Sequence, residues 1–150
     1  MSIQVCENVS SVSFNNVPLN KTIMEDTLTA VADAGINIDM ISMTPPTSEI
    51  FSFGFTLSDE DMPKLLGVIG RMRERDGGIV PMINSGNRKI VIKSGDMETQ
   101  AGFAASVFQM LNRIDAMILL ITTGVDEISV LIRESDADAA EQEFRLKYDA

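Results

Sequence analysis

The sequence predicts an α+β protein of two ferredoxin-like units. Three observations predict it: one order of elements occurs twice, about 80 positions apart; the first occurrence reads strand-helix-strand-strand-helix-strand and the second follows it up to the last strand; and the apolar fraction, 45%, is that of a chain with a buried core. A period this long means tandem domains rather than a solenoid. The 150 residues suffice for two small units.

In the first stretch, Ser10 to Phe14 alternates as a strand with Val12 and Phe14 on one face, and a turn through Val17, Pro18 and Asn20 follows. Thr22 caps a helix with Glu25 and Asp26 near its start, where the macrodipole favours negative charge. Ile23, Leu28 and Val31 form its apolar stripe, and Gly35 stops it. Ile36 to Met43 is rich in β-formers, Pro45-Pro46 turns the chain, and Ile50 to Leu57 alternates again. Ser58 opens a second helix headed by Asp59, Glu60 and Asp61, with Leu65, Leu66, Ile69 and Met72 as its buried face. Asp76-Gly77-Gly78 breaks it before a fourth strand, Ile79 to Ile83.

The second stretch follows the same plan. Lys89 to Lys93 is a strand turned by Ser94-Gly95. Gly102 opens a helix marked by Phe103, Val107, Met110 and Leu111. Ile118 to Thr122 and Ile128 to Ile132 pair around Gly124, and Ser135 opens a helix that turns Ala137, Ala140 and Phe144 inward. Asn84-Ser85-Gly86-Asn87 reads as the linker. After Phe144 too few residues follow for a turn and a strand, while Ile3 to Cys6 is a surplus strand at the other end. The expectation is that the N-terminal strand completes the second sheet, which would cover an open edge. The expected domains are residues 8–86, and residues 2–7 plus 87–150.

Composition narrows the function classes. A net charge of −10 argues against nucleic acid, whose phosphates require a basic face. No histidine and a single cysteine exclude a histidine-based triad, a Cys–His dyad, a zinc cluster and an internal disulfide. Cys6 reads as a small buried hydrophobe. The longest apolar run, Ala116 to Ile121, is too short for a bilayer, and the opening residues carry neither basic flank nor apolar run. Cytoplasmic residence with no membrane association is the expectation. No phosphate-cradling or dinucleotide glycine motif occurs, so neither enzymatic activity nor a cofactor is expected.

Three segments carry a family resemblance. Gly35-Ile36-Asn37-Ile38-Asp39-Met40-Ile41-Ser42 resembles the helix-to-strand signature of the first ACT domain of aspartate kinases. Gly95-Asp96-Met97-Glu98-Thr99-Gln100-Ala101-Gly102 resembles the loop of their second ACT domain, roughly G-x-M-x-S-x-x-G, and Ile128 to Glu134 resembles a core strand of it. The resemblance runs from about residue 3 to residue 146, and the interleaved N-terminal strand is also a feature of the family. It implies a regulatory module without the kinase domain, a homodimer, a separate kinase subunit as partner, and lysine or threonine as ligand at a domain interface. The implied ligand-binding residues are Asn37, Ile38, Asp39, Ser48, Glu49, Met97, Thr99, Gln100 and Gly102. A helix N-terminus suits the ligand's α-carboxylate, and strand carbonyls with Asp39 suit its ammonium. Lysine would need Asp39 and Glu49 in one pocket, threonine only one acid.

The sequence also departs from the family. The first unit's pre-helix loop reads Leu19-Asn20-Lys21-Thr22 where Asp-x-Pro-Gly is usual, and Met117 and Leu119 stand where the first unit has Asn37 and Asp39. Thr47-Ser48-Glu49 does match the family's Thr-Ser-Glu. One mixed site, a changed ligand, or an interaction module that has lost its ligand are the readings left open. Asn37 also reads as a turn residue, Asp39 and Glu49 as solvated acids, Gly102 as a tight helix entry, and the methionines as core fillers.

Overall fold

The structure is a computed structural model describing residues 1–19 and 22–148. In chain order the elements are β1 (Ser2–Pro18), α1 (Ile23–Asp33), β2 (Ile41–Met43), β3 (Ile50–Ser58), a 3-10 turn (Asp59–Asp61), α2 (Met62–Arg75), β4 (Val80–Lys93), α3 (Phe103–Arg113), β5 (Ile118–Thr123), β6 (Glu127–Arg133) and α4 (Glu134–Tyr148). The class is α+β, with antiparallel strands in the hydrogen-bonded order β2-β3-β1-β4-β6-β5. Two compact units emerge: Val9–Ser85, and Met1–Asn8 with Gly86–Ala150.

In the unit of residues 9–85, β1 pairs with β3 from Val9↔Ser58 to Pro18↔Ile50. The register slips between Phe14 and Val17, and Asn16 there has a φ of +59°. That β-bulge corrects the expected turn at Val17 and Pro18. The extra residue re-phases the alternation, so Val17 points back into the core with Val12 and Phe14 and the strand continues. Phe14 lies 5.0 Å from Phe53 and 6.1 Å from Phe55, centroid to centroid, and these rings fill the centre of the core. Ile23 and Val31 of α1 pack on it with Leu65, Val68, Ile69 and Met72 of α2. Leu66, expected in that face, is 52% exposed, and Val68 is buried instead. Helical spacing decides this: 65, 68, 69 and 72 follow the i, i+3, i+4, i+7 rule, and 66 lies off the stripe.

The strand expected from Ile36 to Met43 is regular only at Ile41–Met43. Ahead of it, Asp39 N–H donates to the Thr56 carbonyl (3.2 Å) and Met40 N–H to Thr56 Oγ1 (2.9 Å). A side-chain oxygen thus takes a bond that a ladder carbonyl would otherwise accept.

In the other unit, Ile3 is buried with Ile90, Ile92, Val107, Ile128, Val130 and Ile132, and Ala137, Ala140 and Phe144 seat α4 on the same core. Strand β4 pairs with β6 from Asn87↔Arg133 to Lys93↔Glu127. The Asn84–Asn87 segment expected as a linker is strand throughout, and Asn87 is buried. Its turn-forming composition is overridden by strand pairing, as β-propensity commonly is. Cys6 is exposed rather than buried. Side chains alternate along a strand, so inward-facing Ile3 and half-buried Val5 put residue 6 on the opposite face. The expected helix start at Ser135 falls one residue earlier, at Glu134.

Arg88 secures α4 to this unit's sheet. Its Nε and Nη2 reach the two oxygens of Glu134 at 3.0 and 2.5 Å, and Nη1 reaches Asp138 at 2.5 Å. Glu7 of β1 lies 3.8 Å away. Those acids hold the Arg88 pKa above its usual value, with the Asp138 hydrogen bond the largest cause and Glu134 next.

Candidate functional site

The residues singled out in the sequence fall in both units. In the unit of residues 9–85, α1 ends at Ala34, and Gly35 turns the chain with a φ of +76°. Asn37 and Asp39 then lie exposed, and Ile38 between them is half-buried against the phenylalanine core. Alternation through this extended segment presents the two polar side chains outward while Ile38 and Met40 anchor the backbone. Ser48 and Glu49 form the tip of a tight turn, closed by Thr47 N–H to the Ile50 carbonyl at 2.9 Å and the reciprocal bond at 3.3 Å. Ser48 carries a φ of +58°, so it occupies a backbone position that usually selects glycine. The Glu49 carbonyl accepts from Leu19 N–H at 2.8 Å.

These two groups are not adjacent. Asp39 sits beside Thr56 and Glu49 beside Ile50, at opposite ends of β3 and a strand rise of roughly 20 Å apart. One such unit therefore offers a ligand one of the two acids.

In the other unit the loop after β4 winds around Asp96. Its carbonyl accepts from the N–H groups of Thr99 (3.1 Å) and Gln100 (3.0 Å) and from the Thr99 hydroxyl (3.2 Å). Met97 is half-buried against the core, and Thr99, Gln100 and Gly102 are exposed. Gly102, at the N-cap of α3, has a φ of +92°. A β-carbon there would meet nothing within 4 Å, so backbone conformation rather than crowding calls for glycine.

The N-termini of α1 and α3 differ in charge. The first turn of α1 holds Glu25 and Asp26, and the Thr22 hydroxyl is spent on Asp26 Oδ2 at 2.9 Å. Thr22 has a φ of −80°, which explains how threonine stands where the family usually has glycine. Asn20 and Lys21 of the same divergent loop lie outside the described residues. The first turn of α3 has no acid and no side-chain cap, so its free N–H groups and positive dipole end remain available to an anion.

Sequence reading missed the residues that flank this end of α3. Ser106 Oγ receives a hydrogen bond from Lys147 Nζ at 2.5 Å and lies 3.0 Å from the Tyr148 hydroxyl. Phe103 stacks on Tyr148 at 5.3 Å. The signal was present in the i, i+4 pairing of Phe144 with Tyr148, whose rings stand 6.5 Å apart. The described residues contain no group of three or more acidic or cysteine side chains able to hold a metal.

The family model of the ACT domain matches residues 90–144, which include β6, α3 and the Asp96 loop. The chain is 31% identical over 116 residues to an aspartokinase of Geobacillus stearothermophilus, covering 77% of this chain and 28% of that protein. It is 28% identical over 124 residues to an aspartokinase of Corynebacterium efficiens, covering 79% of this chain and 29% of that one. It thus spans less than a third of the length of each of these two relatives. Among solved structures, the regulatory subunit of aspartate kinase from Thermus thermophilus superposes with a TM-score of 0.88 at 20% identity, over 99% of this chain and 97% of that one. A structure of aspartokinase alpha and beta subunits gives a TM-score of 0.85 at 25% identity, over 100% and 99% of the two chains. Aspartokinase, or aspartate kinase, is the name common to these relatives and structures.

Proposed function

We propose that this chain is a non-catalytic regulatory module that senses lysine or threonine and controls an aspartokinase-type catalytic subunit in the cytoplasm. The observation carrying this reading is the end-to-end correspondence with a chain of the aspartokinase alpha and beta subunits, together with the matching ACT segment. Two ACT domains, residues 8–86 and residues 2–7 plus 87–150, act as a homodimer in this reading. The acid-free N-terminus of α3, with Met97, Thr99, Gln100 and Gly102 around it, receives the α-carboxylate. Asn37, Ile38 and Asp39 form a second recognition surface, and Ser48 with Glu49 a third. Because one unit presents Asp39 and Glu49 at opposite ends of β3, threonine is favoured over lysine, whose side-chain ammonium needs its own counter-charge.

Isothermal titration with both amino acids tests this. Threonine binding that weakens at least tenfold in Asp39→Ala is the expected result. No heat from either amino acid points to the second reading, an ACT pair that assembles with a partner without a ligand. One observation favours that alternative: Thr22 and the acids of α1 leave its N-terminus unsuited to a carboxylate.

A further inference from the structure

We propose that the cleft between α1 and α2 binds an apolar amino acid as its zwitterion, one per chain, at a site separate from the lysine or threonine site above. The cleft is a cavity of about 110 Å³, floored by Ile23, Ala30, Val68 and Met72 with the buried Thr27 among them. That is room for three or four waters by their share of liquid volume, or for a branched four-carbon side chain. Apart from Thr27 the floor is apolar and would hold such waters poorly.

Charges of both signs stand at the rim. Asp26, Arg71 and Arg75 all line the same cavity. Arg75 Nη1 bonds Asp26 Oδ2 at 2.5 Å, and the Thr22 hydroxyl bonds that same oxygen. Asp26 Oδ1 therefore remains without a partner among the described residues, as does the Arg71 guanidinium. An amino-acid zwitterion matches this arrangement: ammonium on Asp26 Oδ1, carboxylate on Arg71, side chain on the apolar floor. A lone carboxylate or a lone amine would satisfy only half of it.

The cleft in the other unit serves as an internal control. It lies between α3 and α4, lined by Met110, Arg113, Glu143, Leu146 and Lys147. Arg113 and Glu143 face each other across it at 3.6 Å, and it lacks an aliphatic floor of the same kind. One ligand per chain is expected for that reason.

Titration of the whole chain with L-leucine, 4-methylpentanoate, 3-methylbutylamine and glycine tests the proposal. Leucine should bind saturably at one per chain, and the other three at least tenfold more weakly. Arg71→Ala and the cavity-filling Ala30→Leu should each weaken leucine at least tenfold, with melting temperature recorded to show both variants folded. Arg71 is exposed, so its variant keeps the test valid even where Ala30→Leu does not fold. Asp39→Ala should bind leucine as wild type does, which separates this site from the threonine surface. Absence of leucine binding overturns the proposal, as do full affinity in folded Arg71→Ala and loss of affinity in Asp39→Ala alone.

Discussion

Ser48 is held at a φ of +58° in a turn where glycine would be relaxed. Ser48→Gly should therefore raise stability by about 0.5–1 kcal/mol in urea unfolding, the relief of the left-handed conformation being partly offset by backbone entropy. The reverse case is Gly54, where a β-carbon would stand 2.9 Å from the Val12 carbonyl oxygen. Gly54→Ala should destabilise by about 1–3 kcal/mol, since backbone must move to admit it. Asp26 adds a pH signature. Its hydrogen bond from Arg75, then that from Thr22, lowers its pKa below the ordinary value. A depressed folded-state pKa stabilises above the unfolded value and loses that contribution as pH falls through the folded one. Wild type should thus melt slightly above Asp26→Asn at neutral pH, with the gap closing under acid titration. Sequence could anticipate the acid at a helix start, but not Ser48's conformation, because only the closed turn forces it.

Among the elements, all four helices were legible, because a stripe of period 3.6 and a glycine or acidic boundary mark each one. Strand limits were less so. The bulge at Asn16 and the strand through Asn84–Asn87 depend on partners far along the chain, which no local pattern encodes. Helix α2 gives a sharp test of the phase. Leu65→Ala should cost about 2–5 kcal/mol, as buried leucines do. Leu66→Ala, one residue on but exposed, should change stability by no more than about 0.5 kcal/mol. Equal effects in urea titration would mean that α2 presents a different face to the core. For the candidate site, the loops were found from resemblance alone. The opposite ends of β3 at which Asp39 and Glu49 sit follow from strand register, which a linear reading does not supply.

At the scale of the whole molecule, association is the property most open to measurement. In the unit of residues 9–85, Ile41 and Met43 of β2, Ile50 of β3, and Val80 and Met82 of β4 are all exposed. Exposed large apolar side chains on a sheet are candidates for an interaction surface. Sedimentation at micromolar concentration should give a dimer, and Met43→Glu with Met82→Glu should shift it towards monomer at unchanged melting midpoint of the monomeric fold. A wild-type monomer across that range would count against the homodimer.

The unit comprising Met1–Asn8 and Gly86–Ala150 is discontinuous in sequence, with Ile3 in a core made otherwise of residues from 90 onward. During synthesis, residues 1–8 leave the ribosome with no core to join. At about 5–20 residues per second, several seconds pass before the segment from Gly86 to α4 has been made. The unit of residues 9–85 can close first, while Ile3 and Val5 wait on an unpaired strand. That interval exposes them to chaperones and to pairing with other nascent chains. Ribosome-bound chains arrested before β6 should accordingly yield to protease within residues 1–8, and chains released complete should not.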